Sequence, residues 1–118
     1  MTKPLALIVE DDPVLSEIFS MALEGDFETE MIPDGQTALT RLADVTPTVV
    51  ILDLHMPGAP GQEVLAKIRA DERFSKTRVI LATADARQAN MIYNDADIVL
   101  LKPISPSQLK ELAKRLGT

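Results

Sequence analysis

Glu10-Asp11-Asp12, Asp53, Thr83 and Lys102 are the side chains in this sequence whose types and positions could do chemistry. Each follows directly upon a short apolar run: Leu5 to Val9, Val49 to Leu52, Val79 to Ala82, and Ile98 to Leu101. Carboxylates gathered in one crevice repel unless a cation or a proton neutralises them. Only hard oxygen ligands are on offer, which points to Mg²⁺ or Mn²⁺ held by a few protein oxygens and several retained waters. Two acids, a metal, a hydroxyl and an ammonium suit a phosphoryl group. Cysteine is absent, so disulfides, thiolate metal sites and cysteine nucleophiles are excluded.

Each residue also has a plainer reading. An acid at a strand end is often a solvated loop residue. Asp12 before Pro13 is a helix N-cap with proline at the first helical position. Thr83 alone could be a cap or turn residue, and Lys102 alone a solvated surface charge. The weight lies in the combination, because coincidence would have to act at four strand ends.

The elements that must position these groups alternate strictly. Together with Phe27 to Ile32, the apolar runs make five strand candidates, mostly continuous rather than alternating, as expected for parallel strands covered on both faces. The second, with Glu28, Thr29 and Glu30, reads as an edge strand. Between them lie five helix candidates. The first carries Val14, Leu15, Ile18, Phe19, Ala22 and Leu23 as one apolar face and should stop near Gly25. Asp34 caps the second, with Ala38, Leu39 and Leu42 inward, and Val64, Leu65 and Ile68 mark the third. Asp85 caps a weaker fourth with Ala89 and Ile92. Ser105-Pro106-Ser107-Gln108 reads as a capping box leading into Leu109, Leu112, Ala113 and Leu116.

Strand and helix alternation argues for an α/β fold with a parallel sheet between two helix layers, joined by right-handed crossovers. This is the flavodoxin-like (βα)5 sandwich, strand order 2-1-3-4-5, in which strands one and three meet at a switch point where ligands bind. No linker or repeat breaks the 118 residues, so we expect one domain over 1–118. A hydrophobic fraction of 46% with 25% charged residues is globular composition. The net charge of −6, with no Lys/Arg cluster, argues against direct nucleic-acid binding. Five apolar residues before three acids fall far short of a signal or membrane-spanning segment, so we expect a soluble cytoplasmic protein with no membrane association.

Four stretches, in this order, resemble the response-regulator receiver domains of two-component signalling. They are Leu7-Ile8-Val9-Glu10-Asp11-Asp12-Pro13, Val50-Ile51-Leu52-Asp53-Leu54-His55-Met56-Pro57-Gly58 with Gly61, Ala82-Thr83-Ala84, and Leu101-Lys102-Pro103. The resemblance covers essentially the whole chain. It implies that Asp53 is the phosphoacceptor, taking a phosphoryl group from a phosphohistidine on a sensor histidine kinase or histidine phosphotransfer protein. It implies that Asp11 binds Mg²⁺ directly and Glu10 through water, with the His55 backbone carbonyl as a further ligand. Thr83 would hydrogen-bond one phosphoryl oxygen and Lys102 would neutralise another. It also implies a cis peptide between Lys102 and Pro103, which only a prolyl bond adopts readily.

The pattern departs from the family at the switch. Three residues before the lysine, receiver domains usually carry a Tyr or Phe that swings between exposed and buried positions; here the residue is Val99, β-branched and stiff. Tyr93 is the nearest ring in sequence that could substitute. The His55 side chain could border the phosphoryl site and tune dephosphorylation, or be a solvated loop histidine. Asp85 could likewise influence hydrolysis or act only as a cap. Asp95-Ala96 stands where the family often has Gly-Ala, so Asn94 or Asp95 must end the fourth helix.

The leading expectation is therefore a phosphorylation-dependent switch that binds a downstream target protein, a signalling phosphoacceptor rather than an enzyme. If the chain is complete it acts as a stand-alone receiver, monomeric or weakly dimeric. Three alternatives stay open. A haloacid-dehalogenase-type phosphohydrolase also uses a strand-end Asp nucleophile, but usually has an Asp where His55 stands. An FMN-binding flavodoxin-like module needs a Gly/Ser/Thr-rich loop where Glu10-Asp11-Asp12-Pro13 stands. A phosphorylation-independent interaction module is motivated by Val99.

Overall fold

Five runs of aliphatic and β-branched residues form one parallel sheet. The computed structural model describes residues 3–54, 60–84 and 96–117. The strands are β1 (Leu5–Val9), β2 (Glu28–Ile32), β3 (Val49–Asp53), β4 (Arg78–Thr83) and β5 (Ile98–Leu101), in the order β2-β1-β3-β4-β5. Every neighbouring pair is parallel. The expected flavodoxin-like topology is thus the observed one. β2 lies at an edge, where Glu28 and Met31 face solvent, whereas every residue of the inner strand β3 is buried.

Four helices are described: α1 (Pro13–Leu23), α2 (Gly35–Leu42), α3 (Gly61–Ala70) and α4 (Pro106–Leu116), with a short 3-10 turn over Glu72–Phe74. The fourth helix candidate, from Asp85 through Ala89, Ile92 and Tyr93 to Asn94 or Asp95, lies outside the described residues. Alternate residues of each strand serve opposite layers. Leu7, Val9, Val50 and Leu52 pack with Ala38, Leu42, Val64 and Ile68 of α2 and α3. Ala6, Ile8, Val49 and Ile51 pack with Phe19, Leu23, Leu109 and Ala113 of α1 and α4.

The helix starts are those the capping residues imply. Asp12 Oδ1 accepts from the backbone N–H groups of Val14 (2.9 Å) and Leu15 (3.4 Å), Asp34 Oδ1 from Thr37 (2.7 Å), and Ser105 Oγ from Gln108 (3.4 Å). Pro13 and Pro106 each open a helix, where the missing N–H is no loss.

One expected face is corrected. Val14 and Ile18 do not belong to the buried side of α1: they are 64% and 37% exposed. At about 100° per residue, residues 15, 19, 22 and 23 share one side of the helix, while 14, 18 and 21 form a separate stripe. From the first set Leu15, Phe19 and Leu23 pack with the sheet and α4, and Ser16 is buried beside them.

At the far end of the sheet, Asp97 clips three elements together. Its carboxylate accepts from the Val79 backbone N–H at 2.7 Å, from Arg69 of α3 at 2.9 Å and from Arg78 of β4 at 3.2 Å. The Arg73 guanidinium donates to the Leu42 and Ala43 carbonyls, satisfying the C-terminal end of α2.

Candidate functional site

The register of the sheet dictates which strand-end residues become neighbours. Val9 pairs with Leu52 across β1 and β3, so Glu10 and Asp53 emerge side by side at the switch point. Asp53 pairs with Ala82, and Thr83 with Leu101, which carries the same rim across β4 to β5. Two further ladder bonds hold the rim past the strand ends: Glu10 N–H donates to the Ile32 carbonyl at 3.0 Å, and Lys102 N–H to the Thr83 carbonyl at 2.8 Å. Strand pairing alone thus gathers residues far apart in sequence.

Glu10, Asp11 and Asp53 each offer a carboxylate oxygen, and these atoms lie within 4.8 Å of one another. Glu10 and Asp53 are buried while Asp11 is exposed, so the cluster has a closed floor and an open side. Lys102 reaches over it from β5: its Nζ lies 2.8 Å from Glu10 Oε1 and 3.4 Å from Asp53 Oδ2. The other Glu10 oxygen, Oε2, accepts from the Asp12 backbone N–H at 3.2 Å. Asp12 is therefore doubly occupied, its side chain capping α1 and its backbone supporting Glu10.

Burial pushes the Glu10 carboxyl up to about 7; Lys102 and the Asp12 N–H pull it down, and neighbouring Asp53 adds to the rise. For Lys102, burial works against the charged form but the carboxylates of Glu10 and Asp53 outweigh it, so its pKa is raised and the ammonium stays charged. Buried carboxylates crowded this closely call for a proton or a cation. An all-oxygen donor set with one open side fits a hard divalent ion such as Mg²⁺.

Thr83 is fully buried at the end of β4. The Lys102–Pro103 peptide bond is cis. Val99, paired in register with Leu81, is partly buried against the layer formed with α2 and α3. His55, with its backbone carbonyl, lies outside the described residues. A groove of about 370 Å³ opens beside the acids, between the start of α1 and the end of β2, with Glu10, Asp11, Pro13, Ser16, Met31 and Pro33 on its walls.

Two features of the site escape reasoning from spacing. The first is the Lys102–Glu10 pair, which joins the residue just after β5 to the residue just after β1, with β3 and β4 lying between those strands in the sheet. The second is Gly61. A Cβ built there would lie 2.5 Å from the Asp53 carbonyl oxygen and 2.6 Å from Leu54 Cα, so α3 can start against the end of β3 only because residue 61 has no side chain. Its place in the Asp53 stretch was the one available signal, but nothing in sequence reveals the contact.

Residues 6–114 match the family of the response regulator receiver domain. The DNA-binding response regulator MtrA of Mycolicibacterium smegmatis is 36% identical over 107 residues, covering 87% of this chain and 46% of that protein. The chain thus spans about half the length of that curated relative. Among solved structures, the response regulator TrrA of Thermotoga maritima, determined in complex with Mg²⁺-BeF, is 30% identical with a TM-score of 0.83, covering 98% of this chain and 99% of that one. The signal receiver domain of a histidine kinase from Syntrophus aciditrophicus is 29% identical with a TM-score of 0.85, covering 96% and 89%.

Proposed function

The chain belongs to the response-regulator receiver family of two-component systems, and from that premise we propose that Asp53 is a phosphoacceptor whose modification switches protein–protein interaction. The observation that carries the reading is the acid cluster of Glu10, Asp11 and Asp53 with Lys102 laid across it, 3.4 Å from Asp53.

One Asp53 carboxylate oxygen attacks the phosphorus of a phosphohistidine donor. The new O–P bond forms as the P–N bond breaks, and the imidazole nitrogen keeps the electron pair and takes up a proton. Lys102 neutralises a phosphoryl oxygen, and Thr83 donates its hydroxyl to another. Glu10, Asp11, Asp53 and the His55 backbone carbonyl would hold Mg²⁺, which when bound spreads the charge of the transferring group. Mn²⁺ suits the same oxygens. Burial of Asp53 in the floor of the site keeps the acceptor away from bulk water.

The phosphoryl group binds one of two existing conformations better, and the population shift is what a target protein reads. Val99 makes the coupling atypical, since a valine cannot swing as the usual aromatic ring does. The donor is a sensor histidine kinase or a histidine phosphotransfer protein, and the reader is a downstream target protein. The reading takes residues 1–118 as one receiver domain working in the cytoplasm, as a signalling component without substrate turnover. Among the described residues no helix is long and apolar enough to cross a membrane.

Intact-mass measurement after incubation with Mg²⁺ and acetyl phosphate tests this directly, with Asp53→Asn in parallel. A single phosphoryl adduct is expected on the wild type, absent from the variant and abolished by chelator. No adduct with any donor would instead favour an interaction module that works without phosphorylation.

A further inference from the structure

We infer that the groove between α1 and β2 is a binding site for a small organic cation, an alkylguanidinium or alkylammonium whose apolar body lies along the groove and whose charged head meets Asp11 and Glu17. The groove borders the acid cluster through Glu10 and Asp11, but its body lies to one side, between a helix and the edge strand.

The groove exists because α1 and β2 part. At one end the two elements touch, with Ser20 Oγ and Thr29 Oγ1 2.6 Å apart. Ser16 stands one turn before Ser20 on the same side of α1, and Met31 two residues after Thr29 on the same face of β2. This next pair does not close the contact. It lines a space of about 370 Å³, inside the ~300–1,000 Å³ usual for small-molecule sites. Ser16 is 4% exposed and its Oγ has no hydrogen-bond partner. A buried hydroxyl is ordinarily paired. Rotation about χ1 between staggered positions brings this one to a donor that enters the groove.

The walls fix the class of ligand. Pro13, Met31 and Pro33 are apolar, and every charged residue on the walls, Glu10, Asp11 and Glu17, is an acid. An anion is therefore repelled, and a hydrated divalent ion gains nothing from prolines and a thioether. Glu10 is already occupied, its two oxygens taken by Lys102 and the Asp12 N–H. Asp11 and Glu17 are exposed at the rim, and Glu17 makes no ion pair among the described residues. A guanidinium or ammonium head suits these two carboxylates while its carbon chain covers the apolar wall. Because Asp11 also belongs to the acid cluster, the ligand and Mg²⁺ oppose each other, by the same factor in both directions.

The test is an NMR titration of protein labelled at the methionine ε-methyl groups with ¹³C, using butylguanidinium as the probe and Met31→Leu and Met21→Leu to assign the resonances. The Met31 methyl should shift along a saturable isotherm, while that of Met21, 66% exposed on α1 and away from the groove, stays in place. Butylurea, the neutral isostere, should bind at least about five-fold less tightly, the usual upper contribution of an exposed ion pair. Glu17→Gln should lose about two- to five-fold for the same reason. Ser16→Ala should bind the probe about five-fold less tightly, the contribution of one hydrogen bond, yet melt no lower than wild type because the hydroxyl it loses is unpaired. A Met31 methyl that does not move, or that moves in step with Met21, overturns the site. Equal affinity for butylurea overturns the cationic class, and wild-type affinity in Ser16→Ala overturns the part given to the hydroxyl. Where Mg²⁺ binds, saturating probe should weaken it; an unchanged Mg²⁺ affinity overturns the sharing of Asp11, whereas a protein that binds probe but no Mg²⁺ overturns only the reading of the acid cluster.

Discussion

At the scale of single residues, the site separates what one-dimensional spacing can reveal from what only packing can. Glu10, Asp53, Thr83 and Lys102 were legible because each directly follows an apolar run, and parallel strands deliver such positions to a common rim. Gly61 was visible as part of a motif but not as a contact, since its neighbours are the backbone of Asp53 and Leu54. That contact makes a sharp prediction. Gly61→Ala forces a Cβ to within 2.5 Å of a backbone oxygen, which must move the end of β3, α3, or both. Overpacking of this kind costs about 1–3 kcal/mol, so a urea unfolding midpoint clearly below wild type is expected, together with slower adduct formation from acetyl phosphate. Unchanged stability would show that the helix start yields without disturbing Asp53. Asp12→Ala should be milder, about 1 kcal/mol from loss of the cap on Val14 and Leu15.

At the scale of elements, strands were easier to read than helix faces. A buried parallel strand is apolar throughout, so β1 and β3 announce themselves wherever their side chains point. An apolar residue on a helix must also lie at the right angle, and on α1 the sequence holds two stripes of apolar side chains of which only one is buried. Substitutions should sort accordingly: Phe19→Ala is expected to cost about 3–5 kcal/mol, whereas Val14→Ser and Met21→Ser should stay within about 0.5 kcal/mol of wild type. Equal losses on the two stripes would mean that α1 packs differently in solution. The join among α3, β4 and β5 at Asp97 was not legible either, because its partners Arg69, Val79 and Arg78 converge only in the folded chain. Burial raises the Asp97 carboxyl, but the Val79 N–H and the two guanidiniums outweigh it and hold its pKa below the usual value of 3.8. A carboxyl depressed by folding contributes stability that is complete above its unfolded pKa and fades as pH falls through the folded one. The stability gap between wild type and Asp97→Asn should therefore be level from about pH 7 to pH 5 and shrink below about pH 4. Chemical denaturation at pH 7, 5 and 3 measures it, and a gap independent of pH would remove Asp97 from the account.

At the scale of the whole molecule, the net charge of −6 is distributed with a purpose that the fold makes visible. The acids that end β1 and β3 meet at one pole, with a single close ammonium, that of Lys102, against Glu10 and Asp53 among the described residues. The folded state therefore carries a repulsion that the extended chain lacks, because Glu10 and Asp53 are more than forty positions apart in sequence. A divalent ion that binds only the folded cluster relieves that repulsion, and by linkage its binding free energy is added to stability. At a Mg²⁺ concentration about a hundred times the dissociation constant the gain should be roughly 2.7 kcal/mol, read as a rise in Tm that chelator reverses. Sodium chloride at equal ionic strength separates site binding from screening. Screening weakens all exposed charge interactions alike, whereas site binding requires the ligands, so Asp11→Ala should lose most of the Mg²⁺ response while keeping the salt response. If sodium chloride reproduced the whole shift, or if Asp11→Ala retained it, the pole would be a patch of mutual repulsion and not a cation site.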